Sequence, residues 1–265
     1  MSVLQVEATL SWVMVLLYAL SFVGFAAGIF WEKWRRPALL VLVAAFVLHT
    51  ILLAWRWYEV AHGPYVTRYE VFSSNAWTIV GLYLLVGWRW RDWLRFGVGP
   101  SGAALLFLLL ALERYERVPG IPTAYHYFWL AVHIIFTKLA LASIFIAVGA
   151  ALVVLFKGEE SRAREFIFRF TGLALCFWTV SVAAGSVWAH IRWGRFWGWD
   201  PIETWSLVVW LGLGISLHLQ KTLGWRGRRA AWLTLGMAFL FVFVLVLLPF
   251  FTRTLHTMYL LGGRG

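Results

Sequence analysis

The sequence predicts an all-α integral membrane protein, a bundle of about eight transmembrane helices with both termini on the outer side. Three observations predict it. The 265 residues are 62% hydrophobic and only 13% charged. The apolar residues come in runs long enough to cross a hydrocarbon core of about 30 Å at about 1.5 Å per helical residue. The basic residues collect in alternate connections between those runs.

The runs are 8–30, 38–58, 71–90, 97–112, 128–156, 168–190, 203–221 and 230–252. Glu7 precedes the first, and no Lys or Arg does, which is the wrong flank for a secretory signal and predicts a retained helix. The fourth is short and Gly-rich, so its claim to span is the weakest. The sixth holds Cys176, the single cysteine of the chain, which has no partner for an internal disulfide or a CxxC pair and is expected to be buried. Every connection is brief, so residues 1–265 are expected to form one transmembrane domain. No internal repeat at a fixed period interrupts that reading.

Lys33, Arg35 and Arg36 fall in the first connection and Arg89, Arg91 and Arg95 in the third. Lys157, Arg162, Arg164 and Arg169 fall in the fifth, and Lys221, Arg226, Arg228 and Arg229 in the seventh. Connections rich in Lys and Arg stay on the cytoplasmic side, which turns both termini and residues 191–205 outward. The net charge of +11 is then an anchoring charge toward anionic lipid and not a nucleic-acid signal.

The outward stretch Trp193 to Trp205, "WGRFWGWDPIETW", places five aromatic residues beside Arg195, Asp200 and Glu203. Part of it has an ordinary explanation. Asp200 as N-cap, Pro201 at N1 and Glu203 at N3 form a helix-start signature, and Trp favours the membrane interface. An interfacial belt needs only one or two aromatics per helix end, however, and the density here predicts a large, flat, apolar ligand with negative charge at one edge. Haem fits. Indole faces pack on a porphyrin, Arg192 and Arg195 can meet propionates, and Gly194 and Gly198 permit close backbone approach.

Haem iron needs axial ligands, and the seven histidines stand at 49, 62, 126, 133, 190, 218 and 256. His133 lies about one and a half turns inside the outer end of the fifth run, and His256 just beyond the outer end of the eighth. Both fall at the level of the tryptophan-rich stretch, from different helices. His218 follows Glu203 by fifteen residues, about 22 Å down the seventh run, too deep for the same iron. It is either a structural residue at the inner headgroups or a second haem position.

"WGRFWGWDPIETW" resembles the WWD motif of the haem-handling protein superfamily, and its "WDPIETW" part resembles the CcsA family of System II cytochrome c biogenesis. "GSVWAHIRWG", "SLHLQ", "TLHTMY", "PTAYHYFWLAVH" and, more weakly, "GPYVTRYE" extend the resemblance over most of the chain from residue 60 onward. It implies haem b export and presentation for covalent attachment to the CxxCH cysteines of an apocytochrome c, with a CcsB/ResB-like membrane subunit, in a bacterial cytoplasmic or thylakoid-type membrane. By position, His133 and His256 match the external haem ligands and His218 the transmembrane one. Trp193, Gly194, Trp197, Trp199, Asp200, Pro201, Glu203 and Trp205 match the motif. Asp200 is counted with His133 and His256 among the residues that carry the reaction.

His190, close to the motif, is a rival ligand without a family counterpart, and His126 could share the His133 face. His49 keeps a small claim on the inner site, whose other ligand the resemblance assigns to the partner. A synthase of this kind needs no nucleophile of its own, in keeping with a lone cysteine. Two other functions fit the same residues: a haem chaperone that passes haem to another synthase, and a haem- or quinone-binding electron carrier.

Overall fold

The computed structural model describes residues 3–89, 92–112, 128–158 and 161–252. Most of the described residues are helical, with no strand among them. The helices are α1 (Val3–Phe30), α2 (Arg35–Val60), α3 (Arg68–Arg89), α4 (Val98–Leu112), α5 (Phe128–Lys157), α6 (Ser161–Trp193), α7 (Pro201–Lys221) and α8 (Gly227–Val242). A π-helical turn, Phe243–Leu247, continues α8 into a last α-helical turn, Leu248–Phe251. Seven of these segments are long and apolar enough to cross a membrane.

The exception is α4, whose fifteen residues reach only about 22 Å. Its glycines explain its place. A methyl group at Gly99 would collide with the main chain of α5 at Phe145 and Gly149, and one at Gly149 with the carbonyl of Phe96, two residues before α4. The two backbones therefore touch directly, in the manner of small-residue helix contacts in membranes. The weak fourth run is thus a short helix set against the centre of the bundle.

That centre is α5. It packs on α1, α3, α4, α6 and α8, and an unbroken stretch from Ala140 to Ala151 is buried. Burial on all sides is what a helix without an amphipathic stripe requires. Lipid-facing side chains such as Leu40, Val47, Ile51 and Ile215 lie on peripheral helices. Cys176 is also exposed, contrary to the expectation of burial. Its position in an apolar run identifies the membrane slab and not the face of α6, and the helix turns it outward.

Alternation of the helices brings the start of α1, α3, α5 and α7 and the end of α2, α6 and α8 to one end of the bundle. Polar groups tie that end together. Arg56, 2% exposed, donates from Nε to Glu70 Oε1 at 3.0 Å and from Nη1 to Glu7 Oε1 at 3.3 Å, joining α1, α2 and α3. Glu70 Oε2 accepts the backbone N–H groups of Val66 and Thr67 at 3.0 and 3.1 Å. His62 Nδ1 lies 3.8 Å from the same oxygen and 2.9 Å from the Gly63 carbonyl. The residues between α6 and α7 close this end.

Candidate haem site

The connection from α6 to α7 is built by local rules. Gly194, at φ 74°, ends α6, and its N–H reaches the His190 carbonyl at 2.8 Å. Asp200 Oδ1 accepts the Ile202 N–H at 2.9 Å, and Glu203 Oε2 turns back to accept Gly198 N–H at 2.7 Å and Asp200 N–H at 3.1 Å. With Pro201 at the first turn this is a complete capping box, as the sequence predicts. Both residues are 8% exposed, and each carboxylate accepts from the backbone at the start of α7.

The tryptophans around this cap form three aromatic pairs. Trp193 meets Trp188 edge to face at 5.0 Å, Trp205 meets Phe243 at 4.8 Å, and Trp197 meets Trp199 at 6.0 Å. Trp199 is 68% exposed and carries a left-handed φ of 58°, a strained choice for a bulky residue. Arg192 and Arg195 are exposed. The Arg195 guanidinium lies over Gly198, where any side chain would meet its Nη2 at 2.7 Å.

Below the cap lie two adjoining cavities, of about 160 and 80 Å³. His133, Thr137, Ile202 and Leu245 line both. Trp197, Phe196 and Glu203 bring the motif to the smaller one, while Leu130, Ile134, Val71 and Val244 give the larger one apolar walls. Leu245 and Val244 belong to the π-helical turn, a feature that tends to occur at functional sites. Pro249 lies two residues past it, lacks an N–H and crowds the preceding turn, which accounts for the altered helix pitch.

His133 is held with care. Its Nδ1 lies 2.9 Å from the Ser181 carbonyl of α6, and the Ser181 hydroxyl donates to the His133 carbonyl at 3.1 Å. Because a carbonyl only accepts, Nδ1 carries the proton and the lone pair falls on Nε2. A metal-ligating histidine is oriented in this way, by donating its other nitrogen to a carbonyl. Thr137 Oγ1 meets Ser181 Oγ at 2.6 Å and completes the clasp. Gly185, one turn on, makes room: a Cβ there would stand 2.7 Å from His133 Nδ1.

The other histidines fare differently. His190 is exposed and stacks on Phe196 with centroids 4.1 Å apart and planes 6° off parallel. His49 is wholly buried, with Nδ1 3.2 Å from Tyr18 Oη and Nε2 2.9 Å from Ser73 Oγ, so both nitrogens join helices. His218 lies far down α7, exposed, with Nδ1 3.3 Å from Thr222 Oγ1. His126 and His256 fall outside the described residues. Ser181, Gly185 and the π-helical turn were not legible as site elements in the sequence.

The model for the family described as cytochrome C assembly protein matches residues 65–258. The chain belongs to the cytochrome c assembly protein family. Its part is therefore in cytochrome c maturation. Among relatives of this family, the cytochrome c biogenesis protein CcsA of Chlamydomonas reinhardtii is 31% identical over 216 residues, covering 74% of this chain and 60% of the algal protein. CcsA of Synechococcus sp. strain RCC307 is 26% identical, covering 77% of this chain and 78% of its own length. CcsA of Trieres chinensis is 25% identical across 92% of this chain and 93% of its own length. A solved structure, cytochrome c heme lyase CcmF, shares the fold with a TM-score of 0.67 at 20% identity, covering 90% of this chain and 50% of CcmF. The chain thus spans 60% of the algal relative's length and half of CcmF. The matched region contains His133, the α6–α7 connection, His218 and His256.

Proposed function

We propose that the chain holds haem b beneath the α6–α7 connection and presents it for covalent attachment to the CxxCH cysteines of apocytochrome c. Haem is cargo in this reading. The observation that carries it is the His133 clasp: a histidine lining both cavities beside the tryptophan motif, its ring fixed by Nδ1 against the Ser181 main-chain carbonyl at 2.9 Å. His256 supplies the second axial ligand. His133 lines both cavities, so haem bound at its ring lies at the wall they share.

The reaction asks little covalent chemistry of the protein. Each thioether forms when a substrate thiol adds across a haem vinyl group, sulfur to one carbon and hydrogen to the other. Positioning is the protein's contribution. Trp193, Trp197, Trp199 and Trp205 flank the haem, with Gly194, Asp200, Pro201 and Glu203 fixing the course of the connection. The histidine of CxxCH displaces one axial ligand and so favours release. His218 holds haem at a deeper station on its way outward, its second ligand coming from a CcsB/ResB-like subunit. In this reading the α6–α7 connection and both termini lie on the outer face of a bacterial cytoplasmic or thylakoid-type membrane, an orientation that the basic clusters of the alternate connections support.

The test is the haem spectrum of the complex with its partner. Wild type is expected to show a six-coordinate, bis-histidine haem. His133→Ala and His256→Ala are each expected to lose it and to regain haem on addition of imidazole, which enters the vacated space. His190→Ala is expected to retain it, since that ring packs on Phe196. An unchanged spectrum in His133→Ala contradicts the proposal.

A further inference from the structure

We propose that Lys138 and Asn75 form a receptor for a carboxylate on the molecule that fills the larger cavity; on the haem reading above, on which this rests, that group is a propionate. Lys138 stands ten residues into α5, within the membrane span, and is only 9% exposed. Its ammonium donates to Asn75 Oδ1 at 2.7 Å, Ser74 Oγ at 2.8 Å and the Val71 carbonyl at 3.2 Å. All three acceptors are neutral. The ammonium is satisfied in hydrogen bonds and not in charge.

A buried cation in a membrane ordinarily pairs with an anion. None of the described residues that line the cavity is acidic. Glu70, on the same helix as the three acceptors, is committed to Arg56 and to two backbone N–H groups. Tyr65, which lines the cavity, has its pKa raised by burial and then by the Glu70 charge, so it too remains neutral. Among the described residues that line the cavity, Lys138 is therefore the one cationic side chain, set in largely apolar walls. Asn75 lines it as well; having spent Oδ1 on Lys138, it offers its amide N–H groups as donors. An ammonium with adjacent amide donors matches a carboxylate.

The geometry has a consequence for orientation. Lys138 lies about 7.5 Å farther along α5 than His133, toward the middle of the membrane. A propionate drawn there turns the opposite edge of the macrocycle, which carries the vinyl groups, toward the α6–α7 connection, where thiols arrive. Arg192 and Arg195, the propionate partners suggested by the sequence, are exposed and would impose the reverse orientation.

The experiment compares haem with haem dimethyl ester, whose propionates are masked, binding to the haem-depleted chain in complex with its partner. Wild type is expected to prefer free haem by about tenfold or more, the scale of one hydrogen bond to a charged group. Lys138→Gln, which keeps a donor and removes the charge, and Asn75→Asp, which pairs the ammonium internally, are both expected to abolish the preference. Arg195→Gln is expected to keep it. If Lys138→Gln fails to assemble, Asn75→Asp decides. A preference surviving in the Lys138 and Asn75 variants while His133→Ala still disturbs the iron spectrum overturns this receptor alone. An iron spectrum indifferent to His133→Ala removes the haem reading and the receptor with it.

Discussion

A carbonyl oxygen can only accept a hydrogen bond, and from that the chemical form of His133 follows. Ser181 fixes the ring through its main chain, so no substitution at 181 removes the acceptor, but Gly185 leaves the ring its room. Gly185→Ala is expected to displace His133 and to weaken haem binding about 10- to 100-fold, as loss of a ligand's orienting neighbours does; a haem titration checks it. At the cap, Asp200→Asn is expected to fold as wild type does, since Asn caps as well as Asp, while Asp200→Ala costs about 0.5–2 kcal/mol by thermal unfolding. Normal cytochrome c formation in Asp200→Asn would reduce that carboxylate to a capping role. The cap was legible because its rule is local: four consecutive residues state it. Ser181 and Gly185 were not, because their meaning depends on how α6 registers against α5, which no local pattern encodes. Lys138 did leave a signal, a lone charge inside an apolar run, of the kind that marks function in membranes.

Helices were legible where hydrophobic length defines them and less so at their ends. The sixth run reads 168–190, whereas α6 extends from Ser161 to Trp193, because hydropathy reports the bilayer slab and the helix continues through the headgroup layer with Arg162 and Arg164. The meaning of the glycines in the fourth run emerges only in contact. Gly149→Val is expected to push α5 off the backbone of α4 and to cost about 1–3 kcal/mol or more, seen as a lowered unfolding temperature in detergent. The Arg56 cluster joins three helices in the same way. Arg56→Leu leaves Glu7 and Glu70 buried without their cation and is expected to cost about 3–5 kcal/mol, whereas replacing all three with apolar or amide residues recovers much of the loss. Equal destabilisation by the single and triple replacements would show that the cluster is not held by its charges.

For the whole molecule, the alternation of helices brings the α6–α7 connection and the Arg56 cluster to one end of the bundle, and the proposed topology turns that end to the outer side. In a Cys176→Ser background, cysteine introduced at Phe196 is expected to react with a membrane-impermeant maleimide in intact cells, and cysteine at Gly224 only after permeabilisation. The reverse pattern would invert the topology. On the proposed route, His218→Ala is expected to lower haem content in the complex with a CcsB/ResB-like subunit, because the proposed inner station lies upstream. The architecture as such suits three fates for bound haem: attachment in place, transfer to another synthase, or retention as an electron carrier. One measurement separates them. The purified chain and partner, loaded with reduced haem, are mixed with a CxxCH apocytochrome, and haem is followed by spectrum and by mass. Haem is expected to leave the complex and become covalently bound to the apocytochrome, with His133→Ala defective in the transfer. Haem that stays on the complex, or departs without forming thioethers, would contradict the proposed function.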